Sequence, residues 1–67
     1  MMKIEELARL AAKVVKAAVE KTEALNEAST LDWEAMKMAC EIEQEMGMDR
    51  QTRHEFETEI WRALPED

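Results

Sequence analysis

Apolar side chains recur every three or four residues over the first 28 positions of the chain. They fall at Ile4, Leu7, Ala11, Val14, Ala18, Leu25 and Ala28, and are interrupted once, at Lys21. Residues so spaced share one face of an α-helix. The pattern predicts a helix over residues 3–27, ~36 Å long at ~1.5 Å per residue. Glu5 and Glu6 fall in its first turn, where the helix dipole favours acids, and Glu5–Arg9 and Lys16–Glu20 are i,i+4 pairs of opposite charge.

A second stripe, Ala35, Ala39, Ile42 and Met46, widened by Met36 and Met38, predicts a helix over residues 31–46. Ser29 or Thr30 is its expected N-cap, with Asp32 near the position where a capping box places an acid. The only glycine, Gly47, follows it, as expected where a helix end requires positive φ. Met48 is expected to fold back onto Ile42 as the apolar contact of that cap. Asp49 then caps a third helix over residues 50–64, whose inner face reads Phe56, Ile60, Ala63 and Leu64, with Trp61 at its margin and Pro65 as its stop.

The fold class expected is all-α: a small three-helix bundle over residues 1–67, built from one long helix and a short helical hairpin. One Gly, one Pro and no Tyr in 67 residues agree with it, as does a charged fraction of 37% dominated by the helix formers Glu, Lys and Arg. Ten of the apolar residues are alanines and only Trp33, Phe56 and Trp61 are aromatic, so a core built from them buries little area. Chains below ~70–80 residues commonly need a staple or a second subunit. The single Cys40 excludes an internal disulfide. These limits lead to the expectation of a homodimer seamed along the first helix, through Ile4, Leu7, Ala11, Val14, Ala18 and Leu25. Its small residues would let two helices approach closely. The competing explanation is that the other two helices cover this stripe within the chain.

The net charge of −7 sits entirely in the second half: residues 1–28 carry five basic and five acidic groups, residues 29–67 four and eleven. Glu34, Glu41 and Glu45 are expected along one outer line of the second helix, and Glu55 and Glu59 along the third. Such a surface suits a protein partner with a basic face, and also simply keeps a small domain soluble. Trp33 and Trp61 are the strongest individual hints of an interface, because tryptophan is enriched among residues that dominate binding energy. As lids on the ends of the core they would look the same. Met36, Met38, Met46 and Met48 can adapt to variable partners or fill gaps in a leucine-poor core.

Residues 42–60 match part of a DNA-reading helix-turn-helix at Ile42, Met46, Gly47, Met48 and Phe56. Glu43 and Arg53 break the match, the first where alanine is wanted and the second where a buried aliphatic is. Affinity for duplex DNA rests on neutralising phosphates, and Glu55, Glu57 and Glu59 oppose it, so nucleic acid is not the expected partner.

No catalytic, metal or nucleotide motif is legible. General acid–base chemistry requires a carboxyl desolvated or charge-paired in a cleft, whereas the Glu41/Glu45 and Glu55/Glu59 pairs are expected on convex helix faces. Cys40, expected as a buried inert thiol, is 14 residues from His54, and one Cys with one His cannot complete a zinc site. The sequence therefore leads to no cofactor and no enzyme. It suggests a protein-binding module, a small regulator or inhibitor of bacterial or phage-like character, with a DNA-binding regulator or a structural subunit of a larger assembly as alternatives. No apolar run approaches the ~7–15 residues of a signal peptide or the ~20 of a spanning helix, and a cytoplasmic location is expected.

Overall fold

A computed structural model describes residues 2–26 and 30–65. Three helices make up these residues, α1 (Ile4–Leu25), α2 (Leu31–Met46) and α3 (Arg50–Ala63), with no strand among them. The second helix has the bounds expected from its stripe, and the third stops one residue short of the expected end, at Ala63. The first is shorter than expected because Asn26 turns left-handed, at φ 57°, and its N–H returns to Glu23 O at 3.1 Å. Asn is among the few non-glycine residues that tolerate this conformation at a helix end. Glu27, Ala28 and Ser29, and with them the Ser29 cap and the last rung of the apolar ladder, lie outside the described residues.

The turn between α2 and α3 is specified residue by residue. Gly47, at φ 63°, donates its N–H to Gln44 O at 3.3 Å, and the Met48 N–H reaches Glu43 O at 3.0 Å. These are the two bonds of a Schellman cap. Met48 turns into the core as expected of the residue after the glycine, and is 7% exposed. Asp49 Oδ1 accepts from the Thr52 N–H at 2.7 Å, closing the open end of α3. Thr52, through its hydroxyl and its N–H, holds that carboxyl below the ordinary aspartate range.

The core is assembled from Leu7, Ala11, Val14, Val15 and Ala18 of α1, Ala35 and Ala39 of α2, Met48, and Phe56, Ile60 and Leu64 at the end of the chain. Phe56, Leu7 and Ile60 are its largest fully enclosed side chains. Thr22 continues the α1 stripe, its hydroxyl satisfied by Val19 O at 3.1 Å. On α2 the buried stripe runs Ala35, Ala39, Glu43 rather than through Met46, which is half-exposed. On α3 it runs Thr52, Phe56, Ile60, with Ala63 outside.

The structure corrects the expected seam. Leu7, Ala11, Val14 and Ala18 are at most 4% exposed in the chain by itself. Helices α2 and α3 already cover them, so they retain no surface to give a second copy. Only Ile4 and Leu25, at the two ends of α1, remain exposed. Economical packing explains this: Ala11 and Ala18 facing Ala35 and Ala39 let the backbones approach closely, and two shorter helices then suffice for the inner face of a 22-residue one. The molecule is 36 × 21 × 14 Å, its long dimension close to the length of α1.

Candidate interaction surface

Two of the three aromatic residues are outside the core. Trp33, in the first turn of α2, is 63% exposed, and Trp61, in the last turn of α3, is 54% exposed. Burying an aromatic side chain stabilises a fold by several kcal/mol, and this chain forgoes that gain twice. They are not lids on the core. One helical turn beyond Trp33, Lys37 Nζ sits 5.0 Å from the ring centroid, within cation–π range, and restrains the indole.

The acidic residues singled out in the sequence do not form one patch. Glu41 and Glu45 are exposed on α2, and Glu41 borders a groove between α1 and α2. Glu55 and Glu59 are half-buried on α3 and line a different groove with Ile4, His54 and Arg62. Both have local partners. Arg62 Nη1 donates to Glu59 Oε2 at 2.8 Å, and Gln51 Nε2 to Glu55 Oε1 at 3.4 Å. The α2 acids are the freer pair.

Glu34 departs from the outer line expected for it. It is 7% exposed, and Lys21 Nζ meets its Oε2 at 2.8 Å. That oxygen has no hydrogen bond of good geometry among the described residues, so charge carries the attraction. Glu34 in turn raises the lysine's pKa, through direct pairing first and its longer-range field second. The lysine that interrupts the apolar ladder thus answers a buried acid on the neighbouring helix.

Glu43, the residue that breaks the helix-turn-helix pattern, is also buried, at 7% exposure. Its carboxyl is pushed up to about 7, by burial first and by the facing Glu57 carboxyl second, with Arg53 pulling the other way. Glu43 stands four residues after Ala39 and eight after Ala35, a spacing that fits the inward face no better than Ile42 and Met46 do. Residues 42–60 do form two helices joined by a glycine turn, but a buried acid replaces the small residue at their crossing. Arg53 is exposed rather than buried.

The concavities are shallow grooves of a few hundred Å³ open to solvent. The one between α1 and α2, about 260 Å³, is lined by Leu10, Val14, Ala17, Met38 and Ile42, with Lys13 and Glu41 on its two sides. Sequence reasoning missed it because Leu10 lies off the main ladder. Cys40 is exposed rather than buried, with Gln44 Nε2 3.4 Å from its sulfur. Among the described residues no three His, Cys, Asp or Glu side chains converge as metal ligands, and no helix is long and apolar enough to cross a membrane. No family model, curated protein or solved structure matches this chain.

Proposed function

We propose that the chain is a non-enzymatic, cytoplasmic protein-binding module, a small acidic regulator or inhibitor. It engages a partner protein through Trp33 and Trp61, with the free acids Glu41 and Glu45 and the more constrained Glu55 and Glu59 selecting a basic surface. The observation that carries this reading is the exposure of both tryptophans in a chain whose core contains a single aromatic, Phe56. Tryptophans more than half exposed contribute little to core packing, and tryptophan is enriched among the side chains that dominate interface energy. The net charge of −7 would hasten encounter with a basic partner and repel nucleic-acid phosphates.

The test compares capture by the wild-type chain and by Trp33→Ala/Trp61→Ala from a lysate of the source cells. The reading expects a protein retained by the wild type and lost by the variant at equal helicity and melting temperature. Equal capture by both would refute the assignment of the tryptophans.

A further inference from the structure

A groove between α1 and α2 carries apolar side chains outside the core. Leu10, Ala17, Met38 and Ile42 line it, and it continues past Leu10 and Lys13 to the half-exposed Met46. Helices α1 and α2 run antiparallel beside it: Lys21 pairs with Glu34 at one end, while Leu10 lies beside Ile42 and Met46 toward the other. The two banks carry opposite charge. Arg9 and Lys13, one turn apart, stand on the α1 bank; Glu41 stands on the α2 bank, with Glu45 one turn further on the same stripe. All four are exposed, and among the described residues the ion pairs within the chain are Lys21–Glu34 and Arg62–Glu59. Two basic and two acidic groups therefore stand beside apolar surface without a close ion pair in the chain, Glu41 acting on Lys21 only through its longer-range field. Glu6, the other charge on the α1 bank, lies nearer the start of the helix than Arg9.

We infer that a second copy of this chain docks groove to groove on the α1–α2 face. The two-fold axis runs along the groove and sets Lys13 and Arg9 of each copy against Glu41 and Glu45 of the other. The face is self-complementary. A two-fold contact uses one patch twice, so the patch must match its own image. A rotation about the groove axis lays the basic bank on the acidic bank in both directions at once, and keeps each α1 antiparallel to the facing α2. Four helices then alternate in direction around the Leu10, Met38 and Ile42 side chains, as in an up-down bundle. A chain of net charge −7 repels its own copies unless the contact itself opposes unlike charges, and this face does so. This goes beyond the partner-binding reading: the tryptophans do not line this groove, and Glu41 and Glu45, given there to a basic partner, are taken here by the second copy.

Sedimentation equilibrium of the full chain, with two charge-reversed variants and their mixture, tests the inference. The wild type is expected to be dimeric. Arg9→Glu/Lys13→Glu places acid on both banks and Glu41→Lys/Glu45→Lys places base on both; each is expected to be monomeric with unchanged helicity. Mixed in equal amounts, the two are expected to recover the dimer mass, because each bank then meets its opposite. A variant that loses helicity is replaced by Met46→Glu, which alters a side chain already half-exposed and is likewise expected to be monomeric. A wild-type chain that stays monomeric from micromolar to millimolar leaves the groove to a foreign segment and overturns the inference. Variants that remain dimeric, or a mixture that fails to re-associate, overturn it as well.

Discussion

Glu43 on α2 and Glu57 on α3 set two carboxyl groups against each other across the contact between these helices. Ionised carboxylates can only accept hydrogen bonds, so a bond between the two requires that one of them keep its proton. Glu43 Oε2 is buried with no hydrogen-bond partner among the described residues, which disfavours its charged form. The folded chain therefore holds this proton more tightly than the unfolded chain, up to about 7 against an ordinary value of 4.5. A raised carboxyl pKa contributes stability that is complete below the ordinary value and is lost as pH rises through the folded one. Urea melts of the wild type are expected to show Glu43's contribution falling between those values, by on the order of 3 kcal/mol. Glu43→Gln, which keeps a neutral donor toward Glu57, is expected to flatten that dependence and to be the more stable protein in mildly alkaline buffer.

Lys21 and Glu34 obey the opposite logic. Their pairing persists through neutral pH, because a raised lysine pKa preserves the contribution until strongly alkaline conditions. Lys21→Met leaves Glu34 buried without its counter-charge and is expected to lower the melting temperature. The double variant Lys21→Met/Glu34→Leu removes both charges and is expected to recover most of the loss, since an apolar pair often replaces a buried ion pair without penalty. A thermal double-mutant cycle reads the difference.

Gly47 offers a measurement of backbone conformation alone. A Cβ built on it would meet no atom within 4 Å, so only its positive φ resists substitution. Gly47→Ala is expected to cost about 1–2 kcal/mol, and Gly47→Asn distinctly less, as judged by denaturant midpoints. Equal costs would mean that the turn relaxes out of the left-handed conformation.

Phe56 is fully enclosed and is the largest side chain in the core. Phe56→Ala is expected to cost ~3–5 kcal/mol, comparable with the ~3–5 kcal/mol that a core of this size supplies. Circular dichroism at room temperature is therefore expected to show a largely unfolded chain.

The bounds of α2 and both ends of the α2–α3 turn were legible in the sequence because each rests on local chemistry: the Gly47 cap, Asp49 at the start of α3, and apolar side chains at helical spacing; the end of α1, set by Asn26 turning left-handed, was not. The rotation of α2 was not. Periodicity alone cannot choose between a stripe through Ile42 and Met46 and one through Glu43. The choice was made by a tertiary contact, where Glu57 and Arg53 offset part of the cost of burying an acid. Nor could one strand of sequence show that alanines on two helices let α2 and α3 cover the middle of the inner face of α1, which removed Leu7, Ala11, Val14 and Ala18 from the expected seam. Trp33 and Trp61 were recognised as binding candidates by residue type, but their exposure follows only from the packed arrangement.

Trp33 and Trp61 stand outside a closed core, and the use proposed for them is contact with another protein. Tryptophan emission tests it most directly, measured on the single-tryptophan variants Trp33→Phe and Trp61→Phe, free and with the captured partner. Each free variant is expected to emit at the long wavelength of a water-exposed indole, nearly as in denaturant, and to shift to shorter wavelength in the complex. Short-wavelength emission from the free monomer, or emission unmoved by the partner, would contradict the account.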